Sequence, residues 1–386
     1  MSWRASGIVG VFVLRLFGDA VAVTGAETIQ HFPADKPAQQ MDTQWRVIWG
    51  IERHAGMSEI LFVKEAYFKR SKDEPELKVL NDCRLAEIFV PYNGGARIYD
   101  LSGHSFSLVT IDEQVLGPAC VAPGAILARD GQPSESGLVA REVHDGHLRW
   151  MNAAERTRRG QSLSLWSVLD GSNYRYIMLY DFRDDGLVGF RLGATAHNLY
   201  SSDDDETTHL HLGCWRLHLA LGDPRQTKFS VVRLDTEKAT TVVETAAQER
   251  RIKWNPDEFT ALRVESLVEK NSHAPPHAIG YELMPLRMGS ARYSGVGEEF
   301  TLHDLWVTRP DAAERRPRDL GQYENGQALG SAGATIWHQV PVLHRARDED
   351  FGRVGTNSGE GVAITAWAGL DLKPRNLFSK TPLYGP

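Results

Sequence analysis

Three histidines and one tyrosine are the residues whose types and spacing could do chemistry in this chain. His209 and His211 form a His-x-His pair. On a β-strand, residues two apart point to the same face, so both imidazoles can reach one metal ion. His344, near the C-terminus, is the third candidate ligand. Three imidazoles suit a transition ion such as Cu(II), because borderline nitrogen donors bind it strongly and leave positions open for water or oxygen. On spacing alone the pair reads first as two histidines on the wet face of a strand, and His338 competes with His344 for the third place. Tyr174, in the run Asn173-Tyr174-Arg175-Tyr176, reads on its own as a core tyrosine of a strand.

Strands must carry these side chains if they are to converge. Short segments rich in Val, Ile, Phe, Tyr and Trp recur between clusters of Gly, Pro, Asn and Asp, and stretches of helical periodicity are few. Strands are expected at 44–51, 60–68, 177–182, 187–192, 209–221, 228–234, 260–266 and 305–308. A mainly β chain with this many strands points to a large sandwich. The 386 residues, 42% of them hydrophobic, can bury one large core or two modest ones. The net charge of -7 comes without a dense Lys/Arg stripe, which argues against nucleic acid as the main partner and for a small molecule. The polar segments 69–76, 201–206 and 311–318 are expected to be solvated loops, and no internal repeat is visible.

Cys83, Cys120 and Cys214 have no Cys-x-x-Cys spacing, so neither a zinc knuckle nor a dithiol redox pair is indicated. At the N-terminus, Arg4, an apolar run over 7–14, Arg15 and the small-residue site Ala20-Val21-Ala22 are ordered like a secretory leader. The run is too short to span a bilayer. Residues 1–26 therefore read either as a signal peptide or as a flexible N-terminus, 27–43 as a linker and 44–386 as one domain. Location follows from that choice: secreted if the leader is real, intracellular otherwise.

The run Asn173 to Phe182, followed by Asp185-Gly186-Leu187-Val188 and Gly193-Ala194-Thr195, resembles the catalytic domain of copper amine oxidases. The resemblance continues through Thr207-Thr208-His209-Leu210-His211, Arg216-Leu217, Ile279-Gly280-Tyr281-Glu282-Leu283, Leu305-Trp306-Val307-Thr308-Arg309, and Trp337 seven residues before His344. Upstream, Ala86-Glu87-Ile88-Phe89-Val90-Pro91-Tyr92 matches too, so the similarity runs from about Gln44 to the C-terminus. It implies a large β-sandwich catalytic domain without the family's usual N-terminal small α/β domains, and an intimate homodimer.

The resemblance also assigns roles. His209, His211 and His344 would hold copper, and Tyr174 matches the tyrosine that copper and oxygen convert to topaquinone. The quinone carbonyl is an electrophile with which a primary amine condenses to a Schiff base; a base then removes the α-proton, and aldehyde, ammonia and hydrogen peroxide are released. Asp100, in Tyr99-Asp100-Leu101-Ser102-Gly103, is the best match for that proton acceptor, with Asp112 as the fallback. Tyr92 matches the tyrosine that hydrogen-bonds the quinone oxygen, and Asn173 would hold the ring from the other side. The disulfide that relatives carry is expected to be absent, because only Cys120 lies near one expected position.

Some residues depart from the family pattern. Asp170 stands where the family has Thr, and Arg175 where it has an acidic residue. His218 and Ala220 replace peripheral calcium ligands, so calcium is not expected there, since that ion needs carboxylate and carbonyl oxygens. Two other functions stay open beside the oxidase: a relative without turnover serving as a copper-binding or interaction protein, and an enzyme repurposed for an intermediate of a biosynthetic pathway.

Overall fold

The computed structural model describes residues 27–32, 43–54, 57–91, 96–117, 122, 124–151, 157–172, 174–196, 209–286, 298–310, 316–329, 333–345 and 365–379. Two large antiparallel sheets dominate them. The first runs Thr28–Phe32, Gln44–Arg53, Glu59–Lys69, Glu76–Pro91, His209–Leu217, Thr335–His344, Leu305–Thr308, Arg250–Ile252, and Arg97–Tyr99 pairs beside Glu76–Pro91. The second runs Thr240–Thr245, Thr227–Asp235, Ala261–Lys270, Ala278–Leu286, Ala366–Arg375, Val188–Ala196, Tyr174–Arg183, Thr157–Gly171, Val139–Met151, Ile126–Leu127. The mainly β sandwich expected from the sequence is therefore what the chain forms.

Side-chain alternation builds the core. Tyr174–Arg183 alternates buried and half-buried residues along its whole length, so Tyr174, Tyr176, Met178, Tyr180 and Phe182 all face inward. Aromatic rings join the sheets: Tyr180 and Phe190 of the second each lie 5.4 Å edge-on from Trp215 of the first, and Phe182 lies 5.4 Å from Trp45. Fully burying each such side chain contributes on the order of 1.5–3 kcal/mol. Polar tips of the core aromatics reach backbone carbonyls at three places. The Tyr180 hydroxyl donates to the Leu61 carbonyl (2.9 Å), the Tyr281 hydroxyl to Gly186 (2.9 Å) and the Trp45 indole to Arg183 (2.7 Å).

A smaller apolar layer lies on the outer side of the first sheet, where Phe89, Leu212, Cys214, Trp306 and Trp337 pack with Phe300 and Leu320 from short helical turns. Among the described residues no helix is long and apolar enough to cross a membrane. Cys83 and Cys214 are buried free thiols, and Cys120 lies outside the described residues.

The expected strands all form, Leu305–Thr308 with the expected ends and the others with shifted ones. The strand expected over 209–221 closes at Leu217, and Leu221 and Gly222 turn the chain further on with φ of 44° and 91°. Residue 219 keeps only an isolated bridge to Leu80. Of the polar segments, 69–76 is the turn into Glu76–Pro91, 201–206 and 311–315 lie outside the described residues, and Pro317–Asp319 is a short 3-10 turn with Pro317 buried.

Candidate metal centre

The histidines meet because of strand register. His209 opens the strand His209–Leu217 and His344 closes Thr335–His344; antiparallel pairing sets the two directly opposite each other. His211 follows on the same inward face. The rings of His209 stand 4.8 Å from His211 and 5.0 Å from His344, and one nitrogen of each histidine lies within 4.8 Å of the others. All three are buried. His338 shares the strand with His344 but sits six residues away, roughly 20 Å along an extended chain, opposite Trp215.

Burial selects the neutral form of His211. The pKa of His211 is held well below the usual histidine value, chiefly by desolvation and then by the charges His209 and His344 would carry. Neutral imidazole is the form that offers a lone pair to a metal. Nε2 of His211 is buried and has no hydrogen-bond partner. An orphaned acceptor of this kind, beside two further imidazole nitrogens, fits a bound ion with a preference for nitrogen.

Tyr174 opens the strand Tyr174–Arg183 in the opposite sheet and points across the gap between the sheets. Its hydroxyl lies 2.9 Å from His209 Nε2 and 2.5 Å from His344 Nδ1, and its ring lies 4.2 Å from that of His211. The next inward residue, Tyr176, stacks on it at 5.8 Å. The Tyr176 hydroxyl donates to Asp100 Oδ2 (2.7 Å) and lies 2.9 Å from His211 Nδ1.

Asp100 follows the short strand Arg97–Tyr99 and is buried. Its pKa is raised to about 7: burial is the main cause, the nearby Glu87 carboxylate adds to it, and the Tyr176 hydroxyl opposes it. The Glu87 carboxyl is itself pushed up by burial, although it accepts from the backbone of Ile88, Leu101 and Ser102 and from the Ser102 hydroxyl.

Of the sequence-predicted residues, Tyr174, His209, His211 and His344 come together, and Asp100 joins them through Tyr176. Tyr92 and Asn173 lie outside the described residues. Asp112, the fallback base, caps the short helix Glu113–Leu116, accepting from Val115 N at 2.9 Å. Trp337 lies on the opposite face of the His344 strand, where its indole donates to Thr308, so it marks position without touching the centre. Asp170 and Arg175 stand opposite one another in register and form an ion pair of 2.6 Å. Arg175 occupies an outward position of a strand whose neighbours Tyr174 and Tyr176 face inward. His218 lies 3.1 Å from Asn81, while the adjacent Asp82 carboxylate is held by Arg84 and Arg216.

Sequence reasoning gave no role to Tyr176 or Glu87. Strand parity with Tyr174 was the signal available for Tyr176. Nothing local marked Glu87.

The β-sandwich brings three buried imidazoles together beside a buried tyrosine, a cluster that could hold a metal ion. The family model described as "Copper amine oxidase, enzyme domain" matches residues 140–385, and the chain belongs to that family. A primary amine oxidase of Klebsiella aerogenes is 24% identical over 297 residues, which cover 62% of this chain and 37% of that protein. A peroxisomal copper-containing amine oxidase, alpha 2, of Arabidopsis thaliana is 23% identical over 380 residues, covering 79% of this chain and 54% of its own length. The chain thus spans about a third to a half of these curated relatives. The crystal structure of a copper-containing benzylamine oxidase from Hansenula polymorpha superposes with a TM-score of 0.69 at 16% identity, over 99% of this chain and 64% of that one. Likeness at that identity speaks for the fold.

Proposed function

We propose that this chain is a copper-dependent primary-amine oxidase, oxidising an amine to an aldehyde with release of ammonia and hydrogen peroxide, and that Tyr174 is the precursor of its topaquinone. The observation that carries the reading is the Tyr174 hydroxyl lying between His209 Nε2 and His344 Nδ1, next to the unpartnered Nε2 of His211. Family membership supports the reaction class.

His209, His211 and His344 would hold the copper. The ion and the quinone supply the oxidising chemistry and the electrophile. The protein's own part is to exclude water, orient the ring and move protons. Asp100 is the proton acceptor in this reading: a carboxyl with a pKa of about 7 is ionised for half of the molecules at neutral pH and can both take and return a proton. Tyr92 and Asn173 would orient the quinone by hydrogen bonds. Residues 44–386 would act as one catalytic domain in a homodimer, which light scattering at low protein concentration tests directly. A monomer there removes the dimer from the proposal.

The experiment for the reaction is hydrogen peroxide release from a panel of aromatic, aliphatic and polyamine substrates by copper-loaded protein in air. Wild type should release peroxide from at least one amine, and Tyr174→Phe from none. A silent wild type that still holds copper would replace the oxidase with the copper-binding or repurposed-enzyme alternative.

A further inference from the structure

We infer that Tyr176 is a positioning residue that ties the candidate metal ligand His211 to Asp100 and fixes which nitrogen of His211 is offered to the ion. The inference rests on the copper reading above for what the ligand binds. It adds a residue and a hydrogen-bond path that the reading does not contain.

The path follows from strand parity on two facing sheets. Tyr174 and Tyr176 point inward from one strand, and His209 and His211 from another. The first tyrosine meets His209 and the second meets His211. Gly171 leaves room for the Tyr176 ring, since a Cβ there would come within 2.9 Å of its Cε2.

The direction of each bond follows from the donors available. A phenol has one proton to give and can also accept. With the Asp100 carboxyl ionised, above about pH 7, the Tyr176 hydroxyl gives its proton to Oδ2 at 2.7 Å. The 2.9 Å contact with His211 Nδ1 must then be donated by the imidazole, so the proton of neutral His211 sits on Nδ1. Its lone pair is left on Nε2, the atom that is buried without a partner.

The far end of the path is rigid. The Asp100 amide donates to the Ile88 carbonyl (2.9 Å), and the Ser58 hydroxyl donates to the Asp100 carbonyl (2.9 Å). Glu87 pins the following turn through Leu101 N (3.0 Å) and Ser102 N (3.4 Å). A carboxylate so anchored, reaching a ligand imidazole through one hydroxyl, does what a carboxylate bonded directly to a metal-bound histidine does. It sets the tautomer, aims the ring and raises the basicity of the donor nitrogen.

The test needs no turnover. In metal-free wild type above about pH 7, where Asp100 is ionised, nitrogen NMR should find His211 protonated at Nδ1; protonation at Nε2 there overturns the inference even if no variant folds. In copper titrations against a competing chelator, Tyr176→Phe should keep its circular dichroism spectrum but bind Cu(II) roughly 10- to 100-fold more weakly, with an altered electron paramagnetic resonance spectrum. Asp100→Asn should weaken copper binding in the wild-type background and add nothing in Tyr176→Phe, because the hydroxyl that transmits its effect is gone. Unchanged affinity and spectrum in Tyr176→Phe, or an equal effect of Asp100→Asn in both backgrounds, overturns the inference while leaving the copper reading intact. Wild type that takes up no copper overturns both.

Discussion

Replacing Asp100 by Asn should change how stability depends on pH, and the size of the change follows from its environment. The carboxyl titrates at about 7 in the fold against an ordinary value of 3.8. Three pH units of difference correspond to about 4 kcal/mol. The sign follows from proton binding. Between the two values the folded chain holds a proton that the unfolded chain has lost, so raising the pH favours unfolding. Relative to Asp100→Asn, metal-free wild type should lose about 1.4 kcal/mol per pH unit from roughly pH 4 to pH 7, and nothing more above that. Asn keeps the shape and still accepts from Tyr176, so the difference between the two proteins isolates the ionisation. Urea unfolding of both, with a chelator present, at half-unit pH intervals measures it. Parallel curves, or a wild type that gains on the variant as pH rises, would refute the claim that burial holds this acid protonated. The same titration predicts that amine turnover by wild type rises through pH 7 as the base ionises, a limb that a pH-rate profile would reveal.

Three other outcomes follow from the geometry. His209→Ala should reduce copper from about one ion per chain to near none, because the variant removes one of three convergent imidazoles; metal analysis at the wild-type level would contradict the ligand set. Asp170→Ala should cost no more than about 1 kcal/mol and leave copper content unchanged, since its partner Arg175 occupies an outward position and both are substantially exposed. Phe259, exposed and held at φ 47° after the turn Pro256–Glu258, should become more stable as Gly by roughly 0.5–1 kcal/mol, read as a higher thermal midpoint.

The sandwich was legible because its strands announce themselves in alternation, as at 177–182 and 305–308. Two of the strands that escaped notice have broken alternation. Glu76–Pro91 carries Lys78, Asp82 and Arg84. Thr335–His344 is buried almost throughout yet contains His338, Gln339 and Pro341, and a proline argues against a central strand. The His209 and His211 pair was readable from period two alone. His344 was not, because its place opposite His209 is set by long-range pairing, and only the resemblance singled it out. Asp170 and Arg175 looked like two separate departures in the sequence, and register makes them one cross-strand ion pair. Glu87 gave no local sign, since a carboxylate inside an apolar strand acquires its meaning from the turn at Leu101 and Ser102 that folds against it.

In the proposed reaction, copper held by His209, His211 and His344 acts on the Tyr174 hydroxyl, which lies between His209 and His344. The most direct test is the mass of the proteolytic peptide containing Tyr174, taken from wild type loaded with copper in air and treated with phenylhydrazine. A gain in mass at Tyr174 and a coloured adduct on that peptide are expected, both lost in Tyr174→Phe. A copper-loaded wild type whose Tyr174 peptide keeps its unmodified mass and takes up no phenylhydrazine would contradict the proposed reaction.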